Sequence, residues 1–279
     1  MYIKTITVKS LSEYTDAIIE INKETNTVHG AAYRGQANAN WPIISSLARS
    51  PRTRSGDLIE RAIRAFRKFN AERHAYSSMT SQTNWDTLAL AQHYGMPTRL
   101  VDWSLSPLVA LYFALDSVKY RKYPLIKYQH LVAEFSDADT IPVDVEHNMG
   151  IAEHDAAVFV IPADEHRKDI WLEADSLPEN VFDEVEQAHE NGFCFFTPNY
   201  FNDRLRAQSG IFTISTKADG TFPQEVAYKI VIHKRSIATI FSHLILMNVG
   251  SKLIYGDLEG LCRDLTFTNF GGFSTRYSD

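Results

Sequence analysis

From Pro107 to Leu115 the chain reads Pro-Leu-Val-Ala-Leu-Tyr-Phe-Ala-Leu, apolar on nearly every side of a helix. A helix without a polar stripe is a buried one, so the rest of the fold has to be wrapped around it. Ser106-Pro107 provides its start: serine accepts from a first-turn amide, and proline suits the first helical position, where no N–H is needed. The helix is expected over 108–118. Just before it, Gln92, His93, Thr98, Arg99, Asp102, Trp103, Ser104 and Ser106 fall within fifteen residues. Polar groups on a loop beside a rigid buried element are how scaffolds present sites.

The flanking elements follow from pattern. Residues 1–8 alternate like a strand, a helix is expected at 11–24, and Ala31-Ala32-Tyr33-Arg34-Gly35 reads as a short strand ending at glycine. Asp57 and Glu60 make a capping-box-like start to a helix whose apolar face is Ile59, Ile63 and Phe66 and whose outer face is Arg61, Arg64, Arg67 and Lys68. Another helix, 85–93, ends at Tyr94-Gly95-Met96-Pro97, with 99–103 extended or looping. Strands are expected at 131–135, 158–161, 193–196, 211–215 and 226–232, and helices at 235–247 and 257–265. Helices early and strands late indicate an α+β fold: a single globular domain, N-terminal helices packed on a mostly antiparallel split β core.

Charge is unevenly placed. The net of −6 hides a basic first part, with 17 Lys+Arg and 11 Asp+Glu in 1–135, and an acidic remainder, with 11 and 23 in 136–279. The acidic insert 137–190 holds 16 Asp+Glu against 2 Lys+Arg, and reads as a solvated or protein-partner face. The candidate site residues before 106 lie in the basic part, which fits a phosphate-bearing small molecule. The basic helix 57–76 leaves a nucleic-acid-directed reading open beside the plainer one of a solvated face. Cys194 and Cys262 are far apart and form no disulfide framework or cysteine zinc site; His147 and His154 do not make a compact ligand set, so no metal is expected. No apolar run spans a bilayer and no signal-peptide pattern opens the chain, so a cytoplasmic protein without membrane contact is expected.

Tyr33-Arg34-Gly35-Gln36, the run from Leu90 through Gln92-His93-Tyr94-Gly95-Met96-Pro97-Thr98-Arg99 to Asp102-Trp103, and Ser106-Pro107 with Ala110-Leu111-Tyr112-Phe113-Ala114 closely resemble the FRG domain. Gln208-Ser209-Gly210 and Gly256-Asp257-Leu258 resemble that family's downstream motifs. Val101 and Ile254-Tyr255-Gly256 depart from its usual residues. The resemblance implies one FRG domain over 1–279, with a motif core at 27–135 and 200–265, in a bacterial or phage defence context. A weaker likeness is to ADP-ribosyltransferases, in which a first-strand arginine meets the NAD phosphates, a Ser-X-Ser turn opens an apolar helix, and a glutamate polarises the ribose. Arg34 and Ser104-Leu105-Ser106 match the first two elements; at the third, Gln208 offers an amide, and Glu225 or Asp102 is the available carboxylate.

On these likenesses NAD or a related nucleotide is the expected substrate, with no permanently bound cofactor. His93, Asp102, Gln208 and Glu225 are the catalytic candidates. Tyr33, Arg34, Gly35, Gln36, Gln92, Thr98, Arg99, Trp103, Ser104 and Ser106 are the binding candidates, with glycine beside Arg34 letting a ligand reach the backbone. Each has a structural alternative: Arg34 paired with an acid such as Asp102, an Arg99–Asp102 salt bridge, His93 as a helix-end cap, Trp103 as core, Ser106 as an N-cap. A non-catalytic nucleotide-sensing or protein-binding module remains the competing class.

Overall fold

The computed structural model describes residues 3–25, 31–51, 57–76, 83–121, 151–162, 171–199, 206–270, 272 and 276. In chain order its strands are β1 (Thr5–Val8), β2 (Ala31–Gln36), β3 (Leu100–Ser104), β4 (Tyr120–Arg121), β5 (Ile151–Ala152), β6 (Ala156–Pro162), β7 (Trp171–Leu172), β8 (Phe193–Phe196), β9 (Gly210–Ser215) and β10 (Tyr228–Ile232). The helices are α1 (Leu11–Glu24), α2 (Leu58–Glu72), α3 (Asn84–His93), α4 (Pro107–Asp116), α5 (Ile237–Leu246), α6 (Ser251–Tyr255) and α7 (Leu258–Asn269). The class is α+β, with strand pairing mostly antiparallel.

These elements fall into two compact units. The first takes the described residues of 1–41, 104–163 and 226–279; the second takes those of 42–103 and 164–225. In the first, the strand order is β1-β10-β6-β2, with β1 parallel to β10 and the other pairs antiparallel. The apolar face of this sheet (Val8, Ala31, Tyr33, Val158, Val160, Ile230, Ile232) packs with α1, α4 and α5 in one core. α4 is buried on nearly all sides, as its composition requires, and Ser106 caps it by accepting from the Val109 amide. Tyr14 of α1 donates to the Pro107 carbonyl at 2.7 Å and holds the same end.

Gly35 decides how closely β2 and α4 approach. A Cβ there would lie 1.9 Å from the Ala110 carbonyl oxygen and 2.5 Å from the Ala114 amide nitrogen. The glycine expected to admit a ligand instead admits the backbone of α4, and alanines at 110 and 114 keep the helix surface flat enough for the contact.

The second unit has the order β3-β9-β8-β7, with β8 antiparallel to β9 and parallel to β7. Its core is aromatic: Trp171 stacks on Phe195 at 4.2 Å, Phe193 meets Phe222 at 4.8 Å and Trp85 meets Phe196 at 6.1 Å.

Several boundaries differ from expectation. Asp57 stands at the N-cap of α2 without a side-chain cap bond; the capping box forms at α3, where Thr83 and Asp86 satisfy each other's backbone amides. Residues 224–226 form a 3-10 turn, so the last strand begins at Tyr228. α6 was not anticipated; a five-residue helix ending on Gly256 at φ 65° carries too little periodicity to read. The expected strand 131–135, His147 and residues 137–150 and 163–170 of the acidic insert lie outside the described residues. Within that insert β6 is buried throughout, and Asp155 accepts from the Lys234 amide, so the stretch is not one solvated face. No helix among the described residues is long and apolar enough to cross a membrane.

Replacing Gly35 by alanine should cost about 3 kcal/mol, because backbone on both sides must shift. Urea unfolding followed by circular dichroism measures it; an unchanged midpoint would contradict the β2–α4 contact.

Candidate functional site

Two groups of candidate residues emerge, one in each unit. In the first unit, β2 alternates so that Tyr33 and Gly35 face α4 while Arg34 and Gln36 share the opposite face. Tyr33 is buried, and burial pushes its phenol above the usual range while a hydrogen bond with Asn22 opposes the shift. Arg34 is half-buried, in register with Phe159 of β6. Phe159 in turn pairs with Lys229 of β10, whose ammonium lies 5.9 Å from the ring centre and donates to the Ala39 carbonyl at 2.5 Å. Burial lowers the Lys229 pKa. Gln36 is buried, and its Oε1 has no hydrogen-bond partner among the described residues.

The register of β2 brings a distant motif beside this strand. Tyr33 pairs with Ser104, so the Tyr-Arg-Gly-Gln segment and the Ser-Leu-Ser turn lie one strand apart despite 70 intervening residues. Ser104 Oγ accepts from the Ser106 amide at 3.0 Å, which tightens the turn into α4.

In the second unit, Asp102 is the exposed residue in the middle of β3, whose described neighbours are buried. Its Oδ1 accepts from Gln92 Nε2 at 2.6 Å. Gln92 Oε1 accepts from the Thr98 hydroxyl, and the Thr98 backbone is held in turn by Ser46 and Leu47. The chain Thr98–Gln92–Asp102 fixes which way the amide points and so orients the carboxylate from behind. His93 ends α3, half-buried, with its ring edge-on to Tyr94 at 4.9 Å. Gln208 is half-buried in the turn before β9, next to Ser209 at φ 45°, and Glu225 is exposed on its 3-10 turn.

Arg99 and Trp103 take structural positions. Arg99 is 1% exposed; Nη1 donates to the carbonyls of Val181 and Asp183 at 2.9 and 2.8 Å, and Nη2 to those of Ser215 and Thr216 at 2.7 and 3.1 Å. Its guanidinium lies 5.6 Å from the Trp85 ring. Burial lowers its pKa to about 10, opposed by Cys194, Asp183 and Asp219. Neither the expected phosphate contact nor the Asp102 salt bridge describes it: a five-donor fork suits the carbonyl ends of two loops, which are far away in sequence. Trp103 is buried and donates from its indole to Thr213 at 2.9 Å, with Phe222 against its ring, so it is core and not a stacking platform.

Two residues escaped the sequence reading. Asp86 is fully buried and accepts from Thr83 and from both the amide and side-chain nitrogens of Asn199. Gln224 exchanges a bidentate pair with the Ile43 backbone. The spacing of Thr83 and Asp86 was a legible capping signal; nothing local marks the partners Asn199 and Ile43. Among the described residues no three His, Cys, Asp or Glu side chains gather as a metal-binding group.

Residues 29–122 match the family model of the FRG domain. The match takes in Tyr33–Gln36, the 92–103 run and α4, and leaves the Gln208 and Gly256 segments outside it. No curated protein and no solved structure matches the chain.

Arg99→Lys should destabilise the protein by about 2–4 kcal/mol, since an ammonium cannot serve four carbonyls in one plane; thermal unfolding checks it. Cys194, buried with its thiol pushed up to about 12, should resist iodoacetamide in the native protein while exposed Cys262 is labelled at pH 8. Mass spectrometry before and after urea treatment tests the difference.

Proposed function

We propose that the FRG domain binds NAD or a closely related phosphate-bearing nucleotide and acts on it in the manner of an ADP-ribosyltransferase, in the bacterial or phage conflict setting that the family resemblance implies. The observation that carries this reading is the Tyr33–Ser104 register. It joins the arginine-bearing strand to the Ser-X-Ser turn ahead of a buried helix, the two elements that the likeness to ADP-ribosyltransferases requires to be neighbours.

The β2 face adds chemical detail. Arg34 and Gln36 stand two residues apart on the side away from α4, one a cation and the other a buried amide oxygen lacking a donor among the described residues. Guanidinium binds phosphate bidentately, and a buried acceptor calls for an N–H. A ligand with both features, such as a dinucleotide carrying a carboxamide or an amino-purine, answers both needs.

Among the carboxylates of the second unit, Asp102 is the candidate for polarising a ribose hydroxyl. It is exposed and already oriented by Gln92 and Thr98, whereas Gln208 cannot carry charge and Glu225 has no comparable support among the described residues. His93 would assist as a proton acceptor. The nucleic-acid reading has less behind it: on α2, Arg64 lies 3.7 Å from Glu60 and Lys68 lies 3.9 Å from Glu72, pairs of an ordinary solvated helix.

Calorimetry with NAD and nicotinamide release in a cell lysate test the proposal together. Arg34→Ala should weaken nucleotide binding about 10–100-fold, the loss of one charge-assisted bidentate contact. Asp102→Asn should keep binding and lower turnover at least about 100-fold. Binding by the wild type without release would support the sensing alternative; neither binding nor release would overturn both.

A further inference from the structure

Away from that face, the C-terminal end of α4 meets α5, α6 and α7 around a cavity of about 380 Å³. Arg276 occupies one side of it, 15% exposed. Its Nη2 pairs with Asp116 Oδ1 at 2.8 Å, and its Nη1 donates to the Leu115 carbonyl at 3.2 Å. The guanidinium carbon lies 4.4 Å from the centre of the Phe241 ring and 5.3 Å from that of Phe267. Those two rings stand edge to face, 5.6 Å apart.

Every part of this arrangement suits a planar cation. Leu115 and Asp116 end α4, where the helix dipole favours positive charge. Asp116 is held from behind by the Tyr112 hydroxyl at 3.1 Å, and Tyr112 shares a 2.6 Å hydrogen bond with Ser251. Two ring faces, a carboxylate and a carbonyl therefore converge on one guanidinium. The charged residues lining the cavity are Asp116, Glu259, Asp264, Arg263 and Arg276. Acids outnumber bases there even with Arg276 in place.

We propose that the wall of this cavity at Asp116, Phe241 and Phe267 is a guanidinium receptor, occupied in this chain by its own Arg276, and that it accepts an alkylguanidinium compound from solution, through the adjoining cavity, once the Arg276 side chain is removed. The receptor is separate from the nucleotide reading and does not depend on it. Its occupant ties Arg276 to the end of the helix on which the first unit is built.

The test is chemical rescue in the full chain, with agmatine as the probe. Arg276→Ala should lower Tm by roughly 2–8 °C. Agmatine should raise the variant's Tm saturably, leave the wild type unmoved, and lose its effect when Asp116→Asn is added. Putrescine, a cation without the guanidinium plane, should not substitute. If Arg276→Ala does not fold, Arg276→Lys retains the charge without the plane and serves the same titration. An unchanged Tm in the variant, no response to agmatine, or equal rescue by putrescine would each overturn the receptor.

Discussion

The missing side chain at Gly35 is the constraint from which the first unit is built. Only without a Cβ can β2 lie against the backbone of α4 at Ala110 and Ala114. That contact places a helix with no polar side directly under the sheet, and the burial of its apolar surface is the main stabilising term available to the unit. Both ends of the helix are then tied: Ser106 and Tyr14 hold the start, while Tyr112, Asp116 and Arg276 hold the finish. A rigid α4 also makes the turn before it rigid. The Tyr33–Ser104 pair then fixes that turn against the arginine-bearing strand.

In the second unit a different interaction has the organising part. The Arg99 guanidinium gathers carbonyls from 181–183 and 215–216, so loops remote in sequence are positioned by one planar group. Removing a charge from water is unfavourable, and four carbonyls together with the Trp85 face compensate for it. The same residue lies inside the FRG match. A motif residue is thus not automatically a site residue: Arg99 and Trp103 shape the scaffold, while Asp102, between them in sequence, is left exposed and oriented.

Much of the secondary structure was legible because its signals are local. Ser106-Pro107, the 11–24 pattern, the stop at Gly95 and the strand 193–196 all lie where short-range sterics and periodicity put them. The candidate site was legible in composition but not in assignment. Nothing within a few residues of Arg99 distinguishes a phosphate ligand from a carbonyl clamp, since both need the same fork of donors. The role of Gly35 was misjudged for a related reason: a glycine marks a close approach without naming what approaches. Asp57 and Thr83 show how capping signals compete. Both offer the right residue types, yet only Thr83 closes the box with its acidic partner.

What the linear chain determined is therefore the inventory: a buried helix with its cap, strands of alternating or wholly apolar character, a basic first part, and the motifs of an FRG domain. Which of those polar groups face outward was decided by long-range packing. The register of β2 against β3 brings Ser104 to Tyr33, and the carbonyls of distant loops capture Arg99. A backbone pair or a buried hydrogen bond depends on partners dozens of residues away, and their approach is set by how the apolar faces close, which no local window of sequence contains.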